Sequence, residues 1–284
     1  MHPLPFGTRT FIMGILNVTP DSFSGDGLMA RGEVIQSALE QARKFLDGGA
    51  DILDIGGEST RPGANPISEE EEMQRVFPVI KSVRSADLDI LISIDTYKSK
   101  VAEAAIDAGA DWINDGWALR ADPKLAKVAA RNGVPIVLMH NRSKPSSVEL
   151  NDRLGGRYIG SEYKDLLGEV KSELMESVAR ARKAGIENDR IILDPGIGFG
   201  KTVPQNLELI NRLNEIKELG YPILFGPSRK SFIGYTLDLP PNQRLEGTAA
   251  SVAIGISRGA DIVRVHDVEA MVRVARMTDA IVRM

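Results

Sequence analysis

Short apolar runs alternate along the chain with longer stretches in which apolar residues recur every three or four positions, and no linker or low-complexity segment interrupts them. The runs predict strands at Phe11 to Leu16, Ile52 to Ile55, Ile90 to Ile94, Trp112 to Ile113, Ile136 to Met139, Ile191 to Leu193, Ile223 to Phe225 and Ile262 to Val265. That is about eight strands in 284 residues, the number and length of an α/β (β/α)8 TIM barrel. The intervening stretches carry helix signals. Ser68-Glu-Glu-Glu71 spells a capping box ahead of Met73, Val76, Phe77 and Ile80, and Gly109, Gly185 and Gly220 fall where helices should stop. A long helix from about Ile159 to Ala184 would set Tyr163, Leu167, Val170, Leu174 and Val178 on one stripe, and a last one from Val268 repeats this with Met271, Val272, Ala275 and Val282. Gly-Ala-Asp recurs as Gly49-Ala-Asp51, Gly109-Ala-Asp111 and Gly259-Ala-Asp261, each just before a strand, as one helix-to-strand turn repeated on the stability face. An open doubly wound sheet also alternates strands and helices but concentrates function at one switch point. Here polar residues follow nearly every strand, which favours the closed barrel, expected as a single domain over residues 1–284.

The polar positions at the strand ends change the picture from fold to chemistry. In chain order they are Asn17, Glu58 with Thr60 and Arg61, Asp95, Asn114 with Asp115, His140, Asp194, Arg229 with Lys230, and Arg264 with His266, all expected at one mouth. Asp95, Asn114 and Asp194 offer acceptors suited to an amino-heterocycle, whereas Arg61, Lys230, Arg264 and His266 offer charge-assisted donors suited to phosphate or carboxylate. Arg264 carries the strongest signal. In Ile262-Val-Arg-Val-His266 it alternates with Val263 and Val265, so it shares an inward face with His266, and an inward cation is costly unless it meets an anion. For His140 the preferred role is a hydrogen-bond partner at the rim.

Ile191-Ile-Leu-Asp-Pro-Gly-Ile-Gly-Phe-Gly-Lys-Thr202 ends a strand on Asp194 and enters a glycine-rich loop that lets backbone approach a ligand. A phosphate-binding P-loop is excluded, because Pro195 stands where its first glycine belongs, and Pro204 is expected to delay the next helix. A bland alternative leaves Asp194 as a helix cap and the glycines as a tight turn.

Composition narrows the classes. With no cysteine, disulfides, thiolate nucleophiles and Cys-ligated zinc are excluded, and three histidines make a multi-His metal site a poor expectation. A net charge of -4 argues against general nucleic-acid binding. No apolar run approaches the roughly 20 residues of a membrane span, and Met1-His-Pro-Leu-Pro lacks a secretory pattern, so no membrane and a cytoplasmic location are expected.

Taken together, Gly14-Ile-Leu-Asn-Val-Thr-Pro-Asp-Ser-Phe-Ser24, Asp54-Ile-Gly-Gly-Glu-Ser-Thr-Arg-Pro-Gly63, Ser93-Ile-Asp-Thr96, Ile113-Asn-Asp115, Asp194-Pro-Gly-Ile-Gly-Phe-Gly-Lys201, Ser228-Arg-Lys-Ser231 and Arg264-Val-His266 resemble the dihydropteroate synthase family over nearly the whole chain. The resemblance implies a (β/α)8 barrel, usually a homodimer. It implies an enzyme that condenses 6-hydroxymethyl-7,8-dihydropterin pyrophosphate with p-aminobenzoate, with Mg²⁺ as cofactor and sulfonamides as mimics of the second substrate. It assigns the pterin edge to Asp95, Asn114, Asp194 and Lys230. Arg264 goes against the ring and, with His266, Asn17 and Arg61, on the pyrophosphate, and Asn17 takes the metal. It assigns p-aminobenzoate to Thr60, Arg61, Pro62, Phe199, Lys230 and Ser231, and the covering loops to Asp21, Phe23 and Arg61. Asp21, Arg61, Lys230, Arg264 and His266 form the implied catalytic set. The chain departs from the family pattern at Gly116, where Val or Ile is common, at Asn141, which replaces a frequent Met, and in the order of Ser24-Gly-Asp-Gly27. A methyltetrahydrofolate-corrinoid methyltransferase of the same barrel has no reason to keep a pyrophosphate clamp. A non-catalytic pterin-binding barrel has no reason to keep Asn17, Arg61 and Lys230.

Overall fold

The structure, a computed structural model, describes residues 4–19, 31–59, 63–144 and 147–283. Its strands are β1 (Phe11–Asn17), β2 (Ile52–Gly56), β3 (Leu91–Asp95), β4 (Trp112–Asp115), β5 (Ile136–Met139), β6 (Val148–Glu149), β7 (Arg157–Tyr158), β8 (Ile191–Asp194), β9 (Leu224–Phe225) and β10 (Ile262–Val265). Eight of them form one parallel sheet in the order β8-β5-β4-β3-β2-β1-β10-β9. A parallel bridge between Leu193 and Ile223, with Leu193 N donating to Pro222 O at 2.9 Å, joins β8 to the β9 side and closes the ring. Strands β6 and β7 form a separate antiparallel pair. Around the ring lie α1 (Arg31–Asp47), α2 (Glu69–Ser85), α3 (Ser99–Asp107), α4 (Leu125–Asn132), α5 (Leu166–Lys183), α6 (Val203–Asn211), α7 (Leu213–Lys217), α8 (Ser231–Leu237), α9 (Leu245–Ser257) and α10 (Val268–Val282).

Alternation along each strand divides two cores. Outward residues such as Leu53, Ile55, Ile92, Ile94, Val263 and Val265 join the helices in the larger one. Inward Phe11, Met13, Ile52, Trp112, Val137, Ile192, Leu224 and Ile262 fill the barrel's lower interior, with Leu4 and Phe6 packed beneath. The same inward faces turn polar one or two steps further along: Ile52 gives way to Asp54, Trp112 to Asn114, Ile192 to Asp194 and Ile262 to Arg264. The site therefore rests on an apolar plug.

The lower rim is tied by three copies of one clasp. Gly49, Gly109 and Gly259 take φ of 93°, 113° and 100°, a region where a side chain is strained. The aspartate two residues later then grips the strand before it. Asp51 N donates to Ile12 O while Asp51 Oδ2 accepts from Ile12 N, and the pairs Asp111 with Ile92 and Asp261 with Ile223 do the same. Arg9, Arg84 and Lys217 pair with the three carboxylates. This is the repeated turn expected from Gly-Ala-Asp.

Three local expectations need correction. The long helix begins at Leu166, capped by Asp165, because β7 occupies residues 157–158 and the next stretch packs over the glycine loop, Ser161 N donating to Gly200 O at 2.9 Å. Tyr163 still packs on the core from outside that helix. Pro204 does not delay α6: Thr202 and Gln205 form a full capping box and Pro204 sits in the first turn, where its missing N–H costs nothing. At Ser68 only half of the box exists, since Ser68 Oγ accepts from Glu71 N while the Glu71 carboxylate pairs with Arg75.

Candidate active site

The mouth is organised by Arg264. Its Nε donates to Asp54 Oδ2 and its Nη2 to Asp95 Oδ2, both at 2.6 Å, so one side chain from β10 reaches β2 and β3 across the barrel. Asp54 is fully buried and also accepts from Asn114 Nδ2 at 3.0 Å. Burial works against the Arg264 charge, but the Asp54 and Asp95 carboxylates more than offset it and its pKa is raised. Burial pushes Asp95 upward, against the pull of Arg264. Asp54 Oδ1 and Ser93 Oγ, also buried, have no hydrogen-bond partner among the described residues, so polar capacity remains at the depth of this clamp.

Across the mouth, Asp194 is buried at the end of β8, where its Oδ1 accepts from Gly196 N at 2.7 Å. Burial raises its pKa, with Lys230 and Arg264 among the cations opposing the shift, so acid and bases share one field. Lys230 donates to Ile197 O and lies 4.5 Å from the centre of the Phe199 ring. Burial, countered by Asp194, pulls its ammonium down to about 8. Ser231 follows it at the start of α8. His266 faces Ser228, with Nδ1 3.0 Å from Ser228 Oγ. Asn17 and Asp95 flank Gly56: a Cβ there would lie 3.4 Å from Asp95 Cβ and 3.8 Å from Asn17 Oδ1.

These contacts bring Asn17, Asp95, Asn114, Asp194, Phe199, Lys230 and Arg264 around one opening. Other expected strand-end residues serve elsewhere. Asp115 has outward parity and caps its own turn, accepting from Trp117 N at 2.9 Å and Leu119 N at 2.6 Å, with burial pushing it up to about 6. Glu58 meets Lys98 Nζ at 2.7 Å, and that ammonium also holds Glu72 at 2.6 Å and Ile67 O at 2.8 Å, anchoring the chain that returns from the second loop. Arg229 pairs with Asp267 at the surface. His140 lies behind the glycine loop, 3.0 Å from Lys201 Nζ, as a rim partner. Asp21, Phe23, Thr60, Arg61 and Pro62 lie outside the described residues.

Sequence reasoning missed Asp54, read as part of a strand rather than of its lining, and Lys201, set aside with the rejected P-loop. The two departures at Gly116 and Asn141 meet each other: Asn141 Nδ2 donates to Gly116 O at 3.0 Å and its Oδ1 accepts from Ser143 N at 2.8 Å, while Met139 Cε would be 3.4 Å from a Cβ on Gly116. Met139 thus stands in van der Waals contact with the position a side chain on Gly116 would take.

Comparison with known proteins gives the family of the chain. A profile of the pterin binding enzymes matches residues 13–266. A dihydropteroate synthase of Clostridium beijerinckii is 53% identical over 98% of this chain and 96% of its own, and one of Bacillus subtilis is 51% identical over 98% and 90%. The crystal structure of a Clostridium difficile dihydropteroate synthase in the presence of pteroic acid superposes with a TM-score of 0.89 at 47% identity, covering 99% of this chain and all of that one. That of Xanthomonas albilineans with 4-aminobenzoic acid gives 0.85 at 40% identity, covering 96% and 93%. With a family match across almost the entire barrel and relatives alike from end to end, the chain belongs to the pterin-binding enzymes and, within them, to the dihydropteroate synthases.

Proposed function

We propose that this mouth joins 6-hydroxymethyl-7,8-dihydropterin pyrophosphate to p-aminobenzoate, releasing pyrophosphate and 7,8-dihydropteroate on the route to folate. The observation that carries the reading is the clamp of Arg264 on Asp54 and Asp95, facing Asp194 and Lys230 across one opening. Solved relatives that hold pteroic acid or 4-aminobenzoic acid support it.

Asp95, Asn114 and Asp194 hydrogen-bond the amino and ring-nitrogen edge of the pterin, and Lys230 reaches its carbonyl. Arg264 lies against the ring and, with His266, Arg61 and Asn17, holds the diphosphate. Phe199, Ser231 and Lys230 form one side of the p-aminobenzoate pocket, and Thr60, Arg61 and Pro62 the other. Asp21 and Arg61 complete the cover on closure. Among the described residues no cluster of three His, Asp or Glu forms a metal cage. Asn17 supplies a single amide oxygen, which fits Mg²⁺, an ion that keeps most of its shell as water and substrate phosphate oxygens. When bound, the ion neutralises charge on the diphosphate.

Chemistry follows from charge. Cleavage of the bond between the pterin methylene and the diphosphate oxygen sends the electron pair to the leaving group and leaves a cation delocalised over ring nitrogens. Arg264, Arg61 and His266 stabilise the first product and the carboxylates of Asp95 and Asp194 the second. The aniline nitrogen of p-aminobenzoate then attacks the methylene and loses a proton. No side chain bonds covalently to substrate.

Helices α6, α9 and α10 are neighbours on the outside and expose Leu207, Ile254, Met277 and Ile281, apolar side chains that support a homodimer. Among the described residues no helix is long and apolar enough to cross a membrane.

Purified protein given the pterin pyrophosphate, p-aminobenzoate and Mg²⁺ should release pyrophosphate in step with dihydropteroate, with sulfonamides competing against p-aminobenzoate. Pyrophosphate release without pteroate formation, or methyl transfer from methyltetrahydrofolate to a corrinoid, would reject the assignment. Light scattering at micromolar protein reads the dimer, and a monomer there removes that part.

A further inference from the structure

The glycine loop between Asp194 and Lys201 is held from behind by a group that the reaction does not use. Lys201, 3% exposed, donates from one Nζ to Gly196 O at 2.9 Å and Phe199 O at 3.2 Å, and the same nitrogen sits 3.0 Å from His140 Nδ1. One ammonium therefore spans both ends of the loop. At its apex Ile197 O takes the Lys230 ammonium, and at its far end the Phe199 ring lies 4.5 Å from that ammonium. The loop has little room to settle elsewhere. A Cβ on Gly196 would lie 1.7 Å from His140 O, and one on Gly200 2.5 Å from the Arg142 carbonyl carbon.

We propose that Lys201, braced by His140, is a positioning residue: it fixes the register of the loop and thereby the placement of Phe199 and Lys230 against p-aminobenzoate. The proposal rests on the reading above that these two side chains line that pocket.

A buried ammonium is an expensive way to hold two carbonyls unless its placement matters. Burial pulls Lys201 down to about 7 although Asp194 opposes the shift. His140 is suited to receive it. Burial first, then the Lys201 charge, pulls the imidazole down to about 4, so the ring is neutral near pH 7. Its Nε2 lies 3.1 Å from Glu173 Oε2, close enough to favour the proton on that nitrogen, which leaves Nδ1 as an acceptor. The three ammonium hydrogens then have three acceptors, and each acceptor belongs to the loop or to the strand end behind it.

Lys201→Met, Lys201→Gln and Phe199→Ala, each assayed for kcat, for KM toward p-aminobenzoate, for pterin affinity by calorimetry and for Tm, test this. Lys201→Met should raise KM for p-aminobenzoate about tenfold or more, with pterin affinity changed by less than about threefold, because a shifted loop displaces Phe199 and loosens Lys230 whereas Asp95, Asn114 and Arg264 stay in place to hold the pterin. Lys201→Gln keeps two N–H donors for the carbonyls and should recover most of that loss. A lowered Tm with unchanged KM in Lys201→Met would overturn the proposal, leaving Lys201 as a structural plug. Should Lys201→Met fail to fold, His140→Phe, which keeps the ammonium but removes its imidazole acceptor together with the Nε2 contact to Glu173, decides on the same readout: a raised KM supports the proposal and an unchanged one rejects it. Phe199→Ala separates the two layers. If it raises KM while Lys201→Met does not, only the positioning role is lost. If it leaves KM unchanged, the pocket assignment falls and the proposal with it.

Discussion

Asp54 gives the sharpest test of the clamp. Asp54→Ala removes the acceptor of Arg264 Nε and of Asn114 Nδ2 in one change, at a position without solvent exposure. Breaking a buried ion pair from one side costs about 3–5 kcal/mol. Arg264 is 20% exposed and retains Asp95 at 2.6 Å, so the low end, about 3 kcal/mol, is the expectation. For a chain of 284 residues the unfolding entropy is about 0.6 kcal/mol/K, and 3 kcal/mol corresponds to a fall in Tm of about 5 °C. Function should suffer more than stability. Arg264 would swing toward Asp95 and the Asn114 amide would lose its orientation, and misplacement on that scale costs kcat/KM on the order of a hundredfold. Asp54→Asn keeps one carbonyl acceptor and should fall between. Calorimetry gives Tm, and pyrophosphate release gives kcat/KM. An Asp54→Ala enzyme within about 1 °C and twofold of the parent would mean that neither Arg264 nor Asn114 depends on this carboxylate, and the clamp reasoning would fail.

Asp194→Ala should weaken pterin binding by about 30- to 100-fold in calorimetry, since it strands donors in a dry site; unchanged affinity would remove Asp194 from the pterin edge. Lys230 must be protonated to act as a cation, and its pKa in the free protein is lowered to about 8, so kcat/KM should fall as pH rises through about 8. Lys230→Arg, which cannot deprotonate there, should move that limb to higher pH, and an unmoved limb would assign it to another group. Asp111→Ala should lower Tm by about 3 °C, as Ile92 N and Arg84 lose a buried acceptor, while kcat and both KM values stay unchanged; a loss of activity would show that the lower rim is coupled to the mouth.

The alternation of apolar and polar residues made most of this legible. Counting by twos along Ile262-Val-Arg-Val-His266 puts Arg264 inside, where it meets Asp54 and Asp95. The same count along Ile52-Leu-Asp-Ile-Gly56 puts Asp54 inside too, but attention to residues after the strands passed over one within a strand. Parity also explains one overextended expectation, for inward Trp112 leaves Asp115 on an outward position, and it sets His140 outward after inward Val137, in the rim-partner role expected of it. Lys201 had no such signal. Its role depends on the loop folding back over its own ammonium, with the strand end at His140 behind, a contact between residues 61 apart in the chain. The stretch before Leu166 misled because apolar spacing cannot distinguish a helix face from a segment laid across a glycine loop.

The reciprocal clasps at Asp51, Asp111 and Asp261 couple β1 with β2, β3 with β4 and β9 with β10, through partners 39, 19 and 38 residues apart. Each closes within one strand-helix-strand unit, so three quarters of the ring can seal as local modules before the circle is complete. The fourth quarter, β5 with β8, carries no such Gly-Ala-Asp clasp, and the insertion with β6 and β7 lies between its strands. In native-state hydrogen exchange the amides of Ile12, Ile92 and Ile223 should open only with the whole molecule, whereas those of β8 should exchange through a smaller, earlier opening. If that opening is seen, the arc bearing Asp194 is the first to fray, and loss of pterin affinity under denaturant should precede the loss of the three clasped quarters.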